Sequence, residues 1–541
     1  MMEELFVRYD HEISLIPAVA FLILMGKLGS LLFAFCWDCL ARVLLGIGAS
    51  RRPSSSSSST SNTSTKNHYS FKSQIAQTLA LVAIASELHL VLWMSSPHKD
   101  DGLHTLIKGT DARLEEILAR VPAIEAGPRP PFLFRNRHVQ FFPWLVQNEI
   151  HRLEGIPFQR IHVPVTDCLD KATIMEGTCH WKYDENETLS MRKHQPVMND
   201  TITLDVFPPF DDDSTCSSRW KPTQGFSFNA SSPVILFSPG LRCHSQDMPG
   251  NMIIRKAYEQ GFRSIVVHRR GHTPNQRLQS PRWNLFGDVD DLEQVYWFVK
   301  ERLVAPHTAM FLHGISSGTA VTVTALSKWD RRRREEPEKE SPAFVASVAM
   351  TPGYDISKVL GRDRFLFPYH DLLLPGVKDH FVRQNEDLLR AHNSTAVDLA
   401  LAATSLQGFV DASVPFAGYE NTTVYYQDTN PINEIRDITT PKLVLNALDD
   451  PCCNINNLYD PSPHSHHQGK TYAQLVRETE NAMVAVTRTG SHIPFLCTRD
   501  RWLPFTRDPL TGGWMLHSWG DQVSIDFYRA TLDVYGERRF H

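Results

Sequence analysis

Cysteine is scarce in this chain of 541 residues. Nine thiols, at positions 36, 39, 168, 179, 216, 243, 452, 453 and 497, are too few for a disulfide-built scaffold. None stands in the doubled CxxC spacing of a structural zinc site. Cys36 and Cys39 do read CxxC, but inside an apolar run, where packing or lipid modification suits them better than a metal. Charge of one sign is also lacking. The 55 Lys and Arg nearly balance 60 Asp and Glu, for a net −5, so nucleic acid is not expected as a partner. Internal repeats are absent too, and no metal or cofactor is expected. What remains is ordinary globular composition, 42% hydrophobic and 21% charged, long enough for one or two domains with appendages.

Long hydrophobic runs are few, and the first is near the start. Residues 13–45 are mostly Ile, Leu, Val, Ala and Phe, interrupted by Lys27 and Asp38. Glu3, Glu4 and Asp10 precede the run, the reverse of a cleaved leader, so residues 1–50 read as an uncleaved transmembrane anchor. Ser54 to Thr65 is almost pure Ser and Thr, so 51–70 reads as a flexible linker. A second apolar segment, 71–100, fits a second crossing, an interfacial helix or a packed helix equally well. The expectation is a membrane protein, single-pass or two-pass, of the endoplasmic reticulum or another endomembrane.

Residues 101–541 alternate short Val, Ile and Leu runs with helical stretches, which predicts an α/β fold: a mostly parallel sheet with helices on both faces. Strands are expected at 234–237, 264–267, 310–312, 344–350, 442–446 and 484–487, with helices at 289–302 and 319–329 among them. Arg331 to Arg334, followed by Glu335 and Glu336, read as a solvated loop.

One motif carries chemistry. Gly314-Ile315-Ser316-Ser317-Gly318 follows a strand and precedes a helix. A serine hydroxyl is a useful nucleophile only when a tight turn exposes it beside a base, and flanking glycines let strand and helix meet there. Its partners are expected on loops after later strands. The strand at 442–446 runs into Asp449-Asp450-Pro451, and the strand at 484–487 into Gly490-Ser491-His492. His492 is the candidate general base. Asp450 is favoured over Asp449 as the acid that orients it, because it lies three residues past Ala447 and just before proline. Two backbone amides must face a developing oxyanion. Ser317 and Leu241, the latter in Ser238-Pro239-Gly240-Leu241, are the candidates.

With these residues in place the chain resembles the membrane-anchored α/β-hydrolase group of the ABHD1, ABHD2 and ABHD3, yeast medium-chain ester synthase and bacterial YheT type. The matching stretches are Phe237 to Leu241, Gly261 to Gly271 (Gly-Phe-Arg-Ser-Ile-Val-Val-His-Arg-Arg-Gly), His313 to Gly318, Asn446 to Pro451 and Gly490 to His492. Pro239, Ser317 and Ser491 depart from the usual histidine, methionine and glycine of that group. The resemblance implies a serine hydrolase acting through an acyl-enzyme on carboxylic esters of lipids: acylglycerols, phospholipids or medium-chain fatty acyl esters. An ester synthase using an alcohol acceptor, and a non-catalytic membrane-anchored binding protein, are the alternatives. The long stretch of about 351–440 between two strands, rich in apolar residues such as Phe365 to Phe367 and Leu372 to Leu374, is expected to be a lid.

Overall fold

The computed structural model describes residues 102–535 except 132–133, 141–142, 145–146, 148–150, 152–154, 167–198, 211–227, 246–247, 274–275, 464, 468 and 498–504. They belong to a unit running from His98 to His541. Its frame is a 9-stranded sheet in the order β1-β9-β8-β7-β6-β4-β5-β3-β2. The strands are β1 (Leu103–Lys108), β2 (Gln159–Thr166), β3 (Asn199–Phe207), β4 (Val234–Ser238), β5 (Arg263–His268), β6 (Met310–Ile315), β7 (Ala346–Met350), β8 (Lys442–Ala447) and β9 (Ala482–Thr487).

From β5 through β4, β6, β7 and β8 to β9 every pairing is parallel. These strands are continuous apolar runs because both faces are covered. Side chains alternate between the two layers: Ile235, Phe237, Phe311 and Ile315 join one core cluster, and Val234, Leu236, Met310 and Leu312 the other. Each such fully buried aliphatic or aromatic side chain contributes about 1.5–3 kcal/mol.

The first cluster packs under α1 (Arg113–Arg120), whose Leu114, Ile117 and Leu118 recur at helical spacing on one face. The second packs under α2 (Val289–Arg302), α3 (Gly318–Glu335) and α4 (Tyr472–Glu478). The side chain of Asp288 caps α2 by accepting from the Asp290 amide.

The mostly parallel sheet is as expected, and only its edges are antiparallel: β1 joins β9, and β2 and β3 close the other side. One expectation is corrected here. Arg331 to Arg334 do not form a loop. They continue α3 to Glu335, held by Arg332 on Glu293 at 2.7 Å and Arg331 on Asp437 at 3.7 Å.

A second expectation, the membrane location, does not stand. Among the described residues no helix is long and apolar enough to cross a membrane. Even α3, 18 residues long, carries Lys328, Asp330 and the arginine run. The stretches 13–45 and 71–94 lie outside the described residues.

Between β7 and β8 the chain makes a helical insertion. It includes Tyr369–Val377, Glu386–Ala402, Leu406–Ser413 and Thr422–Thr429. Phe381, Val397, Phe409, Phe416 and Tyr425 give it a third buried cluster, which Trp283 and Phe286 complete from the segment before α2.

Candidate active site

The chain leaves β4 towards β5 on one side and returns to β6 on the other. Such a switch point opens a crevice at the carboxyl ends of the strands. Gly314, Ser316 and Gly318 make the turn from β6 into α3 at that end. Ser316 has φ +52, a strained conformation for a residue with a side chain, and its amide is anchored on the Met350 carbonyl at 2.9 Å. A Cβ at Gly314 would meet Thr322 Oγ1 at 2.7 Å and Thr319 Cα at 2.8 Å. One at Gly318 would collide with the carbonyl oxygens of Ser238 and Pro239. The tight turn therefore requires both glycines.

His492 stands on the turn after β9, between Ser491 (φ +55) and Ile493 (φ +87). The strain on both sides aims its ring back across the sheet. Ser316 Oγ lies 3.0 Å from His492 Nε2, and His492 Nδ1 lies 3.0 Å from both carboxylate oxygens of Asp450. With the proton on Nδ1, that nitrogen donates to Asp450 and Nε2 accepts from the serine. Asp450 Oδ1 also accepts the amides of Cys452 and Cys453, each at 2.8 Å. These two amides fix the carboxylate plane, a role the sequence reading did not foresee.

Asp449 faces elsewhere. Its Oδ1 accepts the Ser491 amide at 2.8 Å, steadying the histidine turn from behind, and among the described residues Oδ2 is buried without a side-chain hydrogen-bond partner. Burial pushes its carboxyl up to about 6. The two neighbouring aspartates thus divide the work: one meets the imidazole, the other the backbone beside it.

The loop after β4 brings Gly240 against the serine; a Cβ there would stand 3.3 Å from Ser316 Cβ. Among the described residues the amides of Leu241 and Ser317 donate no hydrogen bond within the chain. Arg269, at the end of β5, binds this loop to the serine turn. Its Nη2 donates to Pro239 O at 2.9 Å, Gly240 O at 3.3 Å and Ser317 Oγ at 3.0 Å, and its Nη1 to Leu285 O at 2.9 Å. Burial lowers its pKa to about 9. By contrast the next residue, Arg270, is paired with Asp291 through two bonds. The sequence reading placed Arg269 in the matching stretch Gly261 to Gly271 but gave it no role.

The arrangement brings together a hydroxyl, an imidazole within hydrogen-bond reach and an oriented carboxylate. No protein-family profile matches the chain. Curated relatives do. Monoacylglycerol lipase ABHD2 of Danio rerio is 23% identical over 63% of this chain and 70% of its own length. An abhydrolase domain-containing protein of Dictyostelium discoideum is 22% identical over 62% and 73%. Phospholipase ABHD3 of Homo sapiens is 25% identical over 54% and 64%. These relatives are consistent with the ABHD group of α/β-hydrolases, and the chain spans between 64% and 73% of the length of the last two. Among solved structures, ferulic acid-bound Est1E of Butyrivibrio proteoclasticus aligns at TM-score 0.31 and 12% identity, over 54% of this chain and 88% of that one. The α/β hydrolase GrgF of Penicillium sp. sh18 aligns at TM-score 0.32 and 16% identity, over 54% and 87%.

Proposed function

We propose that this chain is a serine hydrolase that cleaves carboxylic esters of lipids, with Ser316 as nucleophile, His492 as general base and Asp450 as the orienting acid. The observation that carries the reading is the unbroken relay of 3.0 Å contacts from Ser316 Oγ through His492 to Asp450. Relatives named monoacylglycerol lipase and phospholipase support the lipid ester as substrate.

Ser316 Oγ attacks the ester carbonyl as His492 Nε2 takes its proton. The amides of Leu241 and Ser317 bond the oxyanion, and Asp450 stabilises the imidazolium. His492 then returns the proton to the leaving alcohol. Water, activated by the same imidazole, releases the acid from Ser316. The helical insertion forms a lid whose apolar side receives the acyl chain, since Leu241 of the donor loop packs against the insertion core together with Phe365 and Leu373.

A fluorophosphonate probe tests the nucleophile: it labels the wild-type chain, and Ser316→Ala abolishes both labelling and ester turnover. Turnover of acylglycerols, phospholipids and medium-chain esters, with and without added alcohol, reads the substrate class and the acceptor. Ordinary turnover by Ser316→Ala would overturn the assignment.

A further inference from the structure

Cys453 is absorbed by none of this chemistry, yet its thiol belongs to the same cluster. One ligand atom each from Asp450, Cys453 and His492 lie within 4.8 Å of one another, and all three residues are buried. Cys453 is a free thiol, not half of a disulfide. The imidazole nitrogen facing this cluster is Nδ1, the one 3.0 Å from the Asp450 carboxylate. A carboxylate, an imidazole and a thiol form a mixed oxygen, nitrogen and sulfur set. Divalent zinc accepts such a set with three protein ligands and one open position, whereas magnesium and calcium require oxygen. The carboxylate is already oriented from outside by the amides of Cys452 and Cys453, as ligating carboxylates usually are.

We propose that Asp450, Cys453 and His492 form an inhibitory site for a thiophilic divalent cation of the zinc class, one that switches the hydrolase off by capturing its histidine. Binding releases one proton from the Cys453 thiol, and Asp450 binds as the carboxylate it already is. As Nδ1 takes the cation, the one proton of the neutral imidazole moves from Nδ1 to Nε2. That nitrogen now donates towards Ser316 Oγ, 3.0 Å away, and is no longer able to accept its proton. The cation leaves the nucleophile in place and removes its base. Affinity rises with pH, because the thiol proton must leave. The inhibitory consequence rests on the serine hydrolase reading above; the binding itself does not.

The test uses cobalt(II) as a spectroscopic substitute and zinc as inhibitor, on the purified full chain after chelator treatment. Cobalt titration should produce a thiolate-to-metal charge-transfer band that saturates at one equivalent. Ser316→Ala should keep the band, Cys453→Ser should lose it, and His492→Ala should weaken or lose it. Zinc should block fluorophosphonate labelling of the wild type, reversibly on chelation. In Cys453→Ser, scored against its own metal-free rate, half-inhibition should need over ~100-fold more zinc, since losing even an outer-sphere partner costs about 10–100-fold. A cobalt band with labelling that zinc does not block would refute the switch, whereas a wild type that the probe never labels would place the fault in the hydrolase reading. Absence of a thiolate band in the wild type, or equal zinc sensitivity in wild type and Cys453→Ser, would overturn the site itself. If Cys453→Ser fails to fold, the wild-type band and its response to His492→Ala still decide.

Discussion

Arg269 Nη2 donates to the hydroxyl of Ser317 at 3.0 Å, and the same nitrogen holds the carbonyls of Pro239 and Gly240. One buried guanidinium, met here by neutral oxygens alone, thereby couples the two segments that carry the proposed oxyanion donors. An ångström-scale misplacement of such donors costs on the order of 10²-fold in rate. Arg269→Met is therefore expected to lower kcat by about 10²-fold with KM little changed. Arg269→Lys should recover part of the loss, since it keeps the charge but not the fork. Ser317→Ala, which leaves the two carbonyl contacts in place, should cost less than about 10-fold. Steady-state kinetics on one soluble ester checks the ranking; equal losses for Arg269→Met and Ser317→Ala would refute the coupling.

The two adjacent aspartates should separate cleanly. Asp450→Asn offers an amide to His492 Nδ1, favours the wrong tautomer and should reduce turnover by roughly 10⁴-fold. Asp449→Asn keeps an oxygen for the Ser491 amide and should cost under about 10-fold. Turnover of both variants at one pH suffices, and the reverse ranking would move the acid to Asp449.

Asp449 should also leave a mark on stability. Burial raises its carboxyl to about 6 in the folded chain, above the ordinary value near 3.9. The native state thus binds the proton more tightly than the unfolded state, so stability is greatest at low pH and declines as pH rises through about 4 to 6. That difference in proton affinity corresponds to roughly 2–3 kcal/mol. Denaturant unfolding at pH 4 and pH 7 should show a smaller loss for Asp449→Asn than for the wild type. Identical losses would mean that the carboxyl titrates normally.

Gly318 lies where α3 presses on the end of β4. Gly318→Ala drives a methyl group into the Ser238 and Pro239 carbonyls and should cost about 3 kcal/mol or more, or prevent folding. Gly512→Ala is the control: its φ of +70 is strained for alanine, but no atom of the described residues lies within 4 Å, so the cost should stay near 1–2 kcal/mol. Thermal melts of the two variants should differ accordingly, and similar melting temperatures would contradict the close approach at Gly318.

What the sequence by itself determined was local. Runs such as Val234 to Phe237 and Lys442 to Asn446 announced buried parallel strands, because chain covered on both faces must be apolar throughout. Gly314 and Gly318 marked a turn where strand and helix meet, because only glycine leaves room there. Gln159–Thr166 escaped notice: its buried Val163 and Val165 alternate with exposed His162 and Pro164, as on a sheet edge, so it never formed a run. The meeting of distant residues was decided by the tertiary structure alone. Ser316 and His492 are separated by 176 positions, Arg269 and Ser317 by 48. Asp449 and Asp450 share one turn and one chemistry, and differ only in the direction the backbone gives each side chain. That direction is set by packing across the sheet, which no neighbouring residue in the sequence encodes.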